Sequence, residues 1–162
     1  MIQKLIFPLI MSIFFSTSSC LAYIPSEDMS FGKISIDSPR SYVIAEYGNP
    51  EYTKGNTDYY KKGFEVSYYT TNGKYYVSHI GIKSPYINNR QNITVGISIY
   101  AIFSAFGKPD LLPIHQPRLG PTVYLCVYKT NRETDPPIDM FITWKNNSIV
   151  KISVNKSNVY EN

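Results

Sequence analysis

Residues 93–110 read ITVGISIYAIFSAFGKPD, and the fold turns on how this stretch is punctuated. Ser98 is a good N-cap, because its hydroxyl can accept from the free N–H groups of a first helical turn. Ile99, Ile102, Phe103 and Phe106 follow at i, i+3, i+4 and i+7, which is one face of a short helix. Gly107 can adopt the positive φ that closes it, and Pro109 prevents continuation. Residues 34–51, ISIDSPRSYVIAEYGNPE, align with this stretch without gaps. Ile34 matches Ile93, Gly48 matches Gly107 and Pro50 matches Pro109. Val43 with Ile102, Tyr47 with Phe106 and Glu51 with Asp110 are conservative pairs. In this copy Ser38 is the expected cap, Pro39 the first helical residue, and Val43, Ile44 and Tyr47 the buried face. Self-similarity at constant offset implies a repeated supersecondary unit.

After each helix the apolar period changes to two. Residues 64–69 (FEVSYY) and 74–82 (KYYVSHIGI) flank a Thr-Thr-Asn-Gly turn, and Asn-Gly is a strong hairpin signal because both residues tolerate positive φ. Residues 58–62 add a short strand. Residues 122–129 (TVYLCVYK), 140–145 (MFITWK) and 149–154 (IVKISV) form the second set of strands. The polar stretch 84–92 (SPYINNRQN) reads as a linker. Residues 110–121 and 130–139 read as Pro-rich loops. The expected fold is therefore α+β: two tandem units, 23–83 and 93–162, each a helix followed by an antiparallel meander.

The first 22 residues, MIQKLIFPLIMSIFFSTSSCLA, carry one Lys and then an apolar run, the pattern of a secretory signal. Cleavage after Ala22 suits the small residues Cys20 and Ala22. Alternatively the signal ends at residue 19 and Cys20 becomes a lipidated first residue, although Thr17 stands where a lipobox usually has Leu. The protein is thus expected to be exported to the periplasm, either free or anchored to a membrane through Cys20. Only two Cys occur in the whole chain, so no internal disulfide is expected to staple the fold. The formal charge of +4 is modest and evenly spread, which argues against nucleic acid as a partner.

No catalytic set stands out. The two His, His79 and His115, have no Cys, Asp or Glu at metal-ligand spacing, and there is no nucleophile elbow or phosphate-binding loop. Cys126 lies mid-strand among Tyr, Leu and Val, a packing position. An enzyme, a cofactor and a metal are not expected. What remains is surface, and 15 of the residues are Tyr. If the aliphatic sets of the strands lie under the helices, the opposite face carries Tyr124, Tyr128 and Phe141 in the second unit and Tyr69, Tyr75 and His79 in the first. Tyr is a rigid amphipathic anchor favoured in protein-binding surfaces, so these six are the candidate contact residues.

The run G-I-S-x-x-x-I-x-x-x-F-G-x-P at residues 96–109, followed by a meander, resembles small bacterial envelope proteins of the SmpA/BamE class. Two copies in tandem also look like the architecture of beta-lactamase inhibitory proteins. The first copy departs from the motif, with Asp37, Ser38 and Pro39 in place of G-I-S. This resemblance implies two sheets forming one concave face that grips a partner protein. The expected function is a periplasmic or secreted protein-binding module, an enzyme inhibitor or a toxin-immunity protein, with an SmpA/BamE-like outer-membrane assembly lipoprotein as the alternative.

Overall fold

The structure, a computed structural model, describes residues 24–131 and 137–157. The signal segment, with Cys20, lies outside the described residues, as does the centre of the second Pro-rich loop. Four strands, β1 (Tyr52–Lys54), β2 (Thr57–Tyr60), β3 (Phe64–Thr71) and β4 (Lys74–Ile82), follow the helix α1 (Arg40–Tyr47). Four more, β5 (Leu111–His115), β6 (Val123–Lys129), β7 (Ile138–Lys145) and β8 (Ser148–Lys156), follow α2 (Ile99–Phe106). All eight belong to one antiparallel sheet in the order β1-β2-β3-β4-β8-β7-β6-β5.

This corrects the expected pair of helix-plus-meander units with separate sheets. The molecule is mostly one continuous sheet, with two short helices of eight residues each. The reason is the edge problem. Each meander ends on a strand with free N–H and C=O groups on its outer side, an exposed template for pairing. β4 and β8 satisfy each other, running antiparallel from His79 opposite Asn155 to Ile82 opposite Ile152. Two edges disappear and a single core results. Phe64, Val66 and Tyr68 on β3, Val77, Ile80 and Ile82 on β4, Ile152 and Val154 on β8, and Met140 and Ile142 on β7 line one face of the sheet. They share one cluster with Val43, Ile99, Ile102 and Phe106 of the helices and with Phe31, Ile34, Ile87 and Ile93 of the connecting segments.

The repeated helix lies where the sequence places it. In α2, Ser98 Oγ accepts from the Tyr100 N–H at 3.3 Å, and Ile99, Ile102 and Phe106 are buried. In α1 the cap moves by one residue. Pro39 is the N-cap, and Ser38 Oγ instead accepts from the Ser35 N–H at 3.2 Å. Of the expected face only Val43 is fully buried. The helices end on Gly48 (φ 81°, ψ −172°) and Gly107 (φ 72°, ψ −151°), a region of backbone space open essentially to glycine alone. Each helix is also pinned at its start to the last strand of its own meander: Pro39 bridges Tyr76 on β4, and Ser98 bridges Ser148 on β8.

Two stretches read as connections do more. In the linker, Ile87 and Asn89 are buried. Asn89 Oδ1 accepts from the Gln91 and Ile93 N–H groups, and its Nδ2 donates to the Asp28 carbonyl at 2.8 Å. The loop 110–121 contains β5. Pro113 hides that strand from a sequence reading, but a proline is tolerated on an edge strand, where one side of the backbone needs no donor.

Candidate functional site

One face of the sheet is covered by the helices and connecting segments, so the register of each strand decides which side chains are free to meet a partner. Tyr124 stands opposite Trp144, Cys126 opposite Ile142 and Tyr128 opposite Met140. These residues therefore lie on the covered face, which corrects the outward placement expected for Tyr124 and Tyr128. The inversion has a local cause. The Tyr128 ring packs edge-on against Phe106 at 5.9 Å, and its hydroxyl donates to the Gly107 carbonyl at 2.9 Å. The phenol thus satisfies a helix end while filling the core, and Tyr128 is fully buried. Burial pushes the Cys126 thiol up to about 12, the state of an inert packing residue.

In the first half Tyr75 also lies on the helix side. It stands opposite Thr70, in phase with the buried Val77, and is half-exposed beside the Arg40 guanidinium at 5.9 Å. Tyr69, His79 and Phe141 occupy the open face, as expected from their parity. Tyr69 is held in place: its hydroxyl donates to Asp37 Oδ1 at 2.8 Å, and Lys156 Nζ sits 4.7 Å over its ring while pairing with the same carboxylate. The hydrogen bond to Asp37 raises the pKa of the Tyr69 phenol. His79 lies on the β4–β8 seam. Its Nδ1 meets Asn155 Oδ1 at 2.5 Å, and its Nε2 lies 3.9 Å from Glu65 Oε1, whose other oxygen accepts from Lys83 Nζ at 2.7 Å. Gly81 makes room for this row, because a Cβ there would come within 2.8 Å of Glu65 Cγ.

The open face is thus zoned. At the β1 end, Tyr52 and Tyr59 stack at 4.5 Å. The centre is polar, with Glu65, His79 and Asn155. At the β5 end it becomes apolar. Leu111 is in register with Val127, and Ile114 with Leu125, while Phe141 stands opposite Val127 on the next strand. A shallow depression of 240 Å³ lies among Asp110, Leu111, Val127, Lys129, Asp139 and Phe141. From the helix side a chain of ring contacts reaches the same edge: Tyr100 to Phe103, Phe103 to Trp144, Trp144 to Tyr124 and Tyr124 to His115, all within 6.3 Å. Leu111, Leu112, Ile114 and Leu119 are exposed at 44%, 57%, 44% and 66%. The edge was missed in the sequence reading, and the signal for it was the apolar run Leu111-Leu112-Pro113-Ile114 inside an apparent loop.

Among the described residues no three His, Cys, Asp or Glu side chains converge as metal ligands. Comparison with protein-family models, with curated proteins and with solved structures finds no match to this chain.

Proposed function

We propose that this chain is an exported protein-binding module, acting in the periplasm or outside the cell as an enzyme inhibitor or as an immunity factor against a toxin. The observation that carries the reading is the β5 edge. Four large aliphatic side chains stand exposed on and just beyond one edge strand, Leu111, Leu112, Ile114 and Leu119, and two of them, Leu111 and Ile114, lie in register with Val127 and Leu125 of β6, where Val127 in turn stands opposite Phe141. The depression among Leu111, Val127 and Phe141, bordered by Lys129, Asp110 and Asp139, has the composition of an interface with an apolar centre and a charged rim. Of the six residues expected to make contact, Phe141 belongs to this surface directly. Tyr124 supports it from beneath as part of the ring chain. Tyr69 and His79 lie further along the same face, Tyr75 faces the other side, and Tyr128 is withdrawn into the core.

The test is recovery of a partner from the source organism with the processed protein as bait. One dominant partner is expected, and the added protein should block that partner's enzymatic or toxic activity. Ile114→Lys should abolish both effects. Because Ile114 is exposed, the substitution should leave stability within about 0.5 kcal/mol of the parent. Undiminished recovery by a folded Ile114→Lys protein would move the contact surface elsewhere. The alternative, an envelope-assembly lipoprotein, requires an acylated Cys20. A processed N-terminus whose mass shows no lipid would count heavily against it.

A further inference from the structure

Charge is distributed unevenly along the half of the sheet formed by β5 to β8. Between residues 84 and 157 the carboxylates are Asp110, Glu133, Asp135 and Asp139. Glu133 and Asp135 lie outside the described residues. Asp110 and Asp139 gather at the Lys129 end of β6. Asp110 Oδ2 accepts from the Lys129 N–H at 2.8 Å, and Asp139 stands opposite Lys129. The other end of β6, at Val123, lies about 20 Å away. Among the described residues of this half it carries no carboxylate.

That end carries cations instead. Arg118 sits in the loop between β5 and β6, and Lys145 stands opposite Val123. Lys151 stands opposite Thr143, which is in register with Leu125 and through it with Ile114. None of the three forms an ion pair among the described residues. Elsewhere the arginines are tied: Arg40 holds Asp58 at 2.8 Å and Arg90 holds Asp28 at 3.0 Å. Glu65, across the seam between β4 and β8, is taken by Lys83 at 2.7 Å. The loop that carries Arg118 is pre-formed. The Leu119 N–H donates to the Gln116 carbonyl at 3.0 Å, the Gln116 N–H donates to the Val123 carbonyl at 2.7 Å, and His115 Nε2 meets the Pro121 carbonyl at 2.8 Å. Arg118 and the exposed Leu119 are therefore displayed together at little ordering cost.

Like charges held near one another without a counter-charge repel, and an opposed surface of the other sign relieves them. The cations border the aliphatic row of Ile114 and Leu125, so the complement is a surface that is apolar within and acidic around. A lipid surface fits less well, because its capture takes a cluster of about four to eight cations. We infer that the partner is an acidic protein, which places carboxylates against Arg118, Lys145 and Lys151 and apolar side chains against Ile114, Leu119 and Leu125. This rests on the protein-binding reading and names the chemistry of the partner. It also sets the partner's direction, since the Asp110 and Asp139 end would repel the same carboxylates.

The experiment is an NMR titration of the processed protein at low salt with three probes. One is a capped hexapeptide with two glutamates on each side of a Leu-Phe pair, the second has lysines in place of the glutamates, and the third is phosphatidylglycerol vesicles. The glutamate peptide is expected to give saturable shifts confined to the amides of residues 114–120, 123–125, 143–145 and 151, and to weaken as salt is added. Arg118→Glu and Lys145→Glu, both at exposed positions, should together weaken it about tenfold or more. Reversing Lys61 and Lys62, at the far end of the sheet, should change nothing. The inference is overturned if the lysine peptide binds as well, if the glutamate peptide leaves these amides unmoved, or if the double reversal binds it unchanged. Vesicle binding without peptide binding would hand the surface to a lipid headgroup instead. The peptide needs no recovered partner, so the two readings fail separately. Peptide binding here with no protein recovered would count against the inhibitor reading alone. A recovered partner that ignores the double reversal would sink this inference alone.

Discussion

Gly107 shows how much one residue carries. Its φ of 72° and ψ of −151° let its N–H close α2 on the Phe103 carbonyl, while its own carbonyl accepts from Tyr128. A side chain is strained in that conformation. Gly107→Ala should lower unfolding free energy by about 1–3 kcal/mol. Equal urea midpoints for variant and parent would refute the conformational argument. Tyr128→Phe keeps the ring and removes the hydroxyl, so the expected loss is about 1 kcal/mol, the ordinary net worth of a hydrogen bond. A second residue pair couples stability to pH. Burial acts to raise the pKa of Asp58, but the hydrogen bonds from Arg40 and Thr53, with the charge of Arg40 and the nearby Tyr68 hydroxyl, outweigh it and hold the carboxyl below its usual 3.8. A carboxyl with a lowered folded-state pKa stabilises the fold above its unfolded value, and that contribution is lost as the pH falls through the folded value. Urea midpoints should therefore fall more steeply below about pH 4 in the parent than in Asp58→Asn. Arg40→Met leaves Asp58 buried without its cation. It should cost on the order of 3 kcal/mol at pH 7, the low end for a broken buried pair because Arg40 is a third exposed.

At the scale of elements, local punctuation was legible and facing was not. Ser98, Gly107 and the apolar spacing between them define α2 to the residue, and Asn72-Gly73 sets the β3–β4 hairpin, with φ of 50° and 72°. These signals are local, so a sequence holds them complete. The face that a strand presents depends on its neighbours. On β6, Val123, Leu125 and Val127 alternate with Tyr124, Cys126 and Tyr128, and both sets are apolar enough to go inward. The helix end at Gly107, with a carbonyl to satisfy, selects the tyrosines. β5 escaped because Pro113 is a strand breaker in most settings and only its position at the sheet edge makes it harmless. The candidate surface suffered accordingly: Phe141 could be read from alternation, while Leu111 and Ile114 could not.

At the scale of the whole molecule, the seam between β4 and β8 turns two meanders into one cooperative body. Heat unfolding should be a single transition, with Trp144 fluorescence in the second half coinciding with the loss of amide protection in β3 of the first. Residues 23–83 expressed alone should not fold, because β4 would lose its partner and Phe31, Ile34 and Ile80 would lose the rest of their shared cluster. A cooperative far-ultraviolet transition from that fragment would show that the halves are autonomous after all.

The strand that completes this sheet, β8, comes after all the others along the chain, although it ends up near the middle. A chain emerging N-terminus first, from a ribosome or through an export pore, therefore has seven strands out before the one that joins them. Residues 148–156 act as a clasp that closes last. Until they emerge, β4 and β7 each lack a neighbour on one side, and the joined sheet cannot form.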